Sequence, residues 1–250
     1  MHINFDLMPS VAYESARTYA ANIKFVLAFS IAFVIAFAIP LVAPLPTYSS
    51  AGALFLRSAS VFLNMNAISI ATIVIAVFVS LLFISFAFVA INLIVKSKHT
   101  YKKTPASVLQ NIEKYMGKVF IILIIYTFAM IIANIAAFPF GASAVATAIV
   151  GFVGYIFIFY APSAIVVENK RIGLALRDSV KLVIEAPKYF VIWLFLFAII
   201  ISVLDLIVTA AFGAAYSGYI MLAINALFVL PYFVIFQAEA YMKKFPILRH

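Results

Sequence analysis

Six apolar runs, each close to the length of a membrane span, leave this chain few folds to choose from. They cover 25–43, 68–95, 119–138, 144–167, 189–212 and 219–238, and about 20 residues at about 1.5 Å each match a hydrocarbon core of about 30 Å. Inside hydrocarbon every backbone N–H and C=O needs an internal partner, which leaves helices or a closed barrel. The runs are continuous rather than alternating, so a barrel is excluded. The expected fold is all-α, one integral membrane domain over 1–250 with six transmembrane helices. Composition agrees: 67% of the 250 residues are hydrophobic and 10% charged, against about 45–50% and about 25% in soluble domains. The second run is long enough to tilt or protrude. The first is read as a retained span rather than a cleaved signal, because a polar arm precedes it.

Orientation follows from the basic residues. The arm before the first span carries Arg17 and Lys24, and six lysines lie between spans two and three. Five basic residues lie between spans four and five, and three close the tail. With six spans all of these fall on one side, and only Arg57 falls on the other. That asymmetry predicts a multi-pass protein of the cell membrane with both termini cytoplasmic. It also explains the net charge of +9 as topology, without a nucleic-acid partner.

Three segments on the basic side show helical amphipathicity: 9–23, 104–117 and 171–186. In the first, Val11, Ala12, Ala16, Tyr19 and Ile23 form the apolar face. In the second the face is Val108, Leu109, Ile112, Tyr115 and Met116, and in the third Ile172, Ala175, Leu176, Val180 and Val183. Each precedes an odd-numbered span and meets it at a lysine. The recurrence suggests three parallel repeats of amphipathic helix plus transmembrane hairpin. Such helices lie at the interface, apolar face toward acyl chains or bundle. The candidate residues for anionic lipid headgroups, or for docking a soluble partner, are Lys102, Lys103, Lys170, Arg171, Arg177 and Lys181; other membrane subunits are the further partners expected of the chain.

The stretch "YAPSAIVVENKRIGLALRDSVKLV", residues 160–183, resembles the polytopic membrane domain attached to some bacterial glycerophosphodiester phosphodiesterases, and related stand-alone prokaryotic membrane proteins. The resemblance rests on Pro162, Ile165, Val166 and Glu168, followed by Ala175, Leu176 and Ser179. It implies a six-helix, non-catalytic membrane domain. The catalytic domain has no counterpart here, since no stretch is long and polar enough to fold as a soluble barrel.

Chemistry-bearing residues are sparse. There is no Cys, and the histidines, His2, His99 and His250, lie outside the spans. No catalytic constellation, metal site or cofactor is therefore expected. Ser143, Thr147 and Gly151 recur every four residues in span four, as a small-residue ridge for close helix packing. Pro162 and Pro231 are expected to bend or locally open their helices. Residues 44–67 read as a turn-rich outer connection followed by a short interfacial helix or packing surface. Asp205 is the one acidic residue well inside a span, about 24 Å along the axis from Tyr189. Asn134 and Asn225 fall at nearly the same depth, so the three are expected as an intramembrane polar cluster, either a clasp between helices or a cation site. The functional expectation is a scaffold, assembly factor or accessory subunit of a membrane complex. A small-solute or ion transporter using Asp205 is the alternative, and a lipid-acting intramembrane enzyme the second alternative.

Overall fold

Apolar sequence of this length folds as helix because helix alone satisfies its backbone within the segment, and the computed structural model shows it. The structure describes residues 8–42, 47–50, 52–56, 66–100 and 105–244. The chain opens with α1 (Met8–Ala21) and α2 (Ile23–Val42), followed by a hairpin of β1 (Thr47–Ser50) and β2 (Ala53–Leu56). Next come α3 (Ala67–Thr100), α4 (Pro105–Ala137), α5 (Ser143–Ile158) and α6 (Ala161–Glu168). The chain ends with α7 (Ile172–Glu185), α8 (Pro187–Phe212), α9 (Ala214–Ile224) and α10 (Leu230–Lys244). Six of the described stretches are long and apolar enough to cross a membrane: Ile23–Leu41, Ala67–His99, Asn111–Phe140, Ser143–Glu168, Pro187–Phe212 and Tyr216–Lys244. The protein is an all-α membrane protein apart from the small hairpin.

Spans two and six form the centre. In span six 56% of the apolar window is buried, against 17% in spans three and five. α3 packs on α2, α4, α6 and α10, while α10 receives α1, α6 and α8. α4 packs between α3 and α5, and α5 reaches the rest of the bundle mainly through α7, with Ile132, Val145, Ile149 and Phe152 exposed to the bilayer. Near the basic end the arms meet in an aromatic cluster. Trp193 of α8 lies 5.3 Å from Phe159 and 5.2 Å from Phe233 between ring centroids, and its indole N–H donates to the Phe233 carbonyl at 3.2 Å.

Both prolines open their helices. Span four is divided into α5 and α6 at Phe159 and Tyr160, just before Pro162. Between α9 and α10, Asn225–Val229 widens into a π-helical turn in which the Leu230 N–H reaches the Asn225 carbonyl. Pro231 follows at once. It has no N–H to donate and its ring crowds the preceding turn, which the extra residue relieves.

The amphipathic segments differ from one another. α1 ends at Asn22, whose N–H is shared between the Thr18 and Tyr19 carbonyls at 3.2 Å each, and α7 is separated from α8 by Ala186 before Pro187. The second segment instead runs unbroken into its span as α4, because nothing near Gly117 caps or interrupts it. The repeat units are thus unlike at this point. The outer loop also differs from expectation: residues 53–56 of its apolar part are strand, not helix, paired with 47–50 across a turn at Gly52 (φ 71°). Thr, Tyr and Phe suit a strand, and Gly supplies the left-handed turn. Arg57 lies outside the described residues.

Candidate functional site

Most polar side chains near the basic end are consumed in joining helices. Pro162 and the break at Tyr160 remove rungs from the hydrogen-bond ladder of span four, and Ser179 of α7 repairs one. The Tyr160 N–H donates to Ser179 Oγ at 2.9 Å, and that hydroxyl donates to the Ile156 carbonyl at 2.9 Å. Ser179 is fully buried and stands where the direct bond between those two groups would run. One turn on, Ser163 of α6 donates to Asn92 Oδ1 of α3 at 2.8 Å, and the Asn92 amide donates to the Phe88 carbonyl. Lys96 donates to the Val166 carbonyl at 2.7 Å near the end of α6. In α10, Gln237 donates to the Tyr155 hydroxyl at 3.2 Å.

Two ion-paired groups flank the end of α10. Glu239, 6% exposed, accepts from Thr18 of α1 at 2.6 Å, from Lys98 at 3.3 Å and meets His99 Nε2 at 3.0 Å. Lys98 also reaches Glu14 at 3.0 Å. On the other side Lys170 pairs with Asp178 at 2.6 Å and Glu168 at 2.8 Å, and the Tyr241 hydroxyl donates to Glu168. Burial works against the Lys170 charge, but Asp178 and Glu168 outweigh it and hold its pKa above the ordinary lysine value.

These contacts decide which way the amphipathic helices face. α7 buries Ala175, Ser179, Leu182 and Val183 against the bundle. α1 buries Val11, Ser15 and Thr18, while Ala16 and Ile23 of the expected face are exposed. The face is rotated because Ser15 donates its hydroxyl to the Val11 carbonyl and Thr18 donates its one proton to Glu239, so both can be buried.

The expected headgroup residues divide in consequence. Lys170 is taken up by two carboxylates, a structural role rather than a presented charge. Lys181 pairs loosely with Glu185 at 3.7 Å, whereas Arg171 and Arg177 are exposed with no ion pair among the described residues. Lys102 and Lys103 lie outside the described residues. On the ridge of α5, Thr147 accepts from the Asn134 amide at 3.1 Å, and Gly151 accepts from the Tyr126 hydroxyl at 3.1 Å. Ser143 stands half-buried at the start of α5.

The expected polar cluster is not joined by hydrogen bonds. Asn134 is engaged with Thr147. Asn225 lies in the π turn and donates to the Gly52 carbonyl at 2.7 Å, with its own Oδ1 buried and unpartnered among the described residues. Asp205 is half-buried on α8 and makes no hydrogen bond or ion pair among the described residues. Ser202 and Thr209, three and four residues away on the same face, are exposed. Spacing along the chain does not fix the direction in which each helix turns its polar residue. Gln237 and Glu239 were missed because they sit at the edge of the last apolar run. The acid immediately after that run, with lysines following, was the available signal.

No group of three or more His, Cys, Asp or Glu able to hold a metal occurs among the described residues. The chain matches no family model, no curated protein and no solved structure.

Proposed function

We propose that this chain is a non-catalytic scaffold or accessory subunit of a membrane complex, which docks a partner helix along α8. The observation that carries the reading is the stripe of Ser202, Asp205 and Thr209: a carboxyl group in the C-terminal half of a span, beside two exposed hydroxyl residues and without a partner among the described residues. A carboxyl group in hydrocarbon is costly unless paired. A neighbouring transmembrane helix bearing a donor or a cation would supply the missing partner. The polar network at the basic end fits the same role, since its members hold helices together and leave few groups free for catalysis. The resemblance carried by Pro162, Glu168 and Ser179 to a non-catalytic membrane domain points the same way. The chain is placed in the cell membrane with both termini cytoplasmic, on the strength of the positive-inside rule.

The test is purification from native membranes in mild detergent. The wild-type chain is expected to carry a stoichiometric membrane partner, and Asp205→Leu to lose it while keeping its own thermal unfolding profile. A partner retained by Asp205→Leu, or a lone monodisperse wild-type chain, overturns the reading. The π turn at Asn225–Val229 beneath the outer hairpin favours a second reading, a transporter gated at span six. Its mark would be a solute or ion flux lost in Asp205→Asn.

A further inference from the structure

A second surface, independent of α8, lies between α4 and α5. Here the two helices and the edge of α7 enclose a groove of about 500 Å³, lined by residues including Ile122, Ile125, Ile149, Val153 and Leu176. Two glycines shape it. A Cβ at Gly154 would stand 2.8 Å from the Tyr126 ring, so only glycine lets the ring lie against α5. The Tyr126 hydroxyl turns to the Gly151 carbonyl, which leaves the wall with essentially no polar surface.

That wall selects its occupant. A polar solute finds no donor or acceptor, and an unfolded peptide would bring backbone groups that nothing here could satisfy. A saturated or monounsaturated hydrocarbon chain needs neither. The groove belongs to spans three and four, so the bilayer is its surroundings. At its inner end Leu176 leads to the basic edge of α7. Gly173, one turn before Leu176, has nothing within 4 Å of where its Cβ would lie, and Arg177 follows Leu176. Arg171 and Arg177 are exposed and not ion-paired among the described residues, and the acids nearest to them in sequence, Glu168 and Asp178, are both held by Lys170.

We propose that the α4–α5 groove is a specific phospholipid site, holding one acyl chain, with Arg171 and Arg177 meeting an anionic headgroup. It rests on the placement of the basic end at an anionic membrane surface and uses no residue of α8, so it stands or falls apart from partner docking.

The experiment uses the full chain, delipidated in a maltoside detergent and titrated with dioleoylphosphatidylglycerol or dioleoylphosphatidylcholine, with bound lipid counted by native mass spectrometry. Wild-type protein is expected to retain one phosphatidylglycerol in preference to phosphatidylcholine. Replacing both arginines, Arg171→Gln with Arg177→Gln, should weaken the anionic lipid about thirtyfold and leave phosphatidylcholine unchanged. Val150→Trp, which fills the groove from α5, should abolish retention of both lipids. Ala129→Leu fills it more gently from α4, and should weaken both lipids in protein whose thermal unfolding is unchanged. A wild-type chain that retains no lipid, equal lipid binding in the groove-filled variants, or a headgroup preference unaltered by the arginine changes overturns the proposal. So does a protein, rather than a lipid, recovered cross-linked to the groove.

Discussion

One hydroxyl, that of Ser179, closes the gap that Pro162 and the break at Tyr160 leave in span four, by accepting from one backbone group and donating to another. Removing it orphans a buried N–H and a buried C=O together. Ser179→Ala should therefore destabilise the protein by about 1–3 kcal/mol, read as a lowered unfolding temperature in detergent. Ser217→Ala, which loses only a long 3.4 Å bond to the Ala214 carbonyl within its own helix, should change little. An equal effect of the two would mean that the splice contributes nothing special. Ser179 was visible in sequence as a polar residue on an otherwise apolar helical face. Which backbone gap it meets was not, because that depends on how α7 crosses α5 and α6. Asp205 shows the complementary limit: counting residues sets it on α8, but whether it meets Asn134 or Asn225 depends on the rotation of α8 about its axis, and both asparagines are engaged elsewhere.

Helices were the most legible level, since apolar runs and amphipathic spacing mark them directly. Their junctions were harder to read. Whether an amphipathic segment breaks from its span depends on a cap or a proline at the joint, present at Asn22 and Pro187 and absent at Gly117. The docking of α1 depends on a residue more than two hundred positions away, Glu239. Glu239→Ala would strip Thr18, Lys98 and His99 of their shared acceptor, so α1 should loosen from α10. Hydrogen exchange over 8–21 should then rise relative to wild type while exchange over 84–96 stays low; unchanged protection of 8–21 would show that Val11 and its apolar contacts suffice. The α4–α5 hairpin depends on small residues instead. Gly154→Leu should force Tyr126 aside and cost about 1–3 kcal/mol by overpacking, measured as a lower unfolding temperature; an unchanged value would mean that the hairpin parts without cost.

At the scale of the whole molecule, one end gathers the basic residues and the ion-paired network, and the other end gathers the hairpin, the π turn and the stripe of α8, which has no partner among the described residues. The class and number of spans were legible because hydrocarbon thickness imposes one length on every crossing. The centre of the bundle was not, since apolarity does not follow burial: spans two and five have the same mean hydropathy, 2.9, yet span five is among the least buried, and span six, the most buried, has 2.2. Topology has its own check: in intact cells a single cysteine replacing Ala142 should react with an impermeant thiol reagent, and one replacing Lys181 should not. Reaction at Lys181 alone would invert the orientation. Partner docking along α8 is tested most directly by a photoreactive residue at Thr209 in native membranes. One discrete protein adduct is expected, and it should disappear when Asp205→Leu is added; adducts with lipid alone, in the wild-type background, would overturn partner docking.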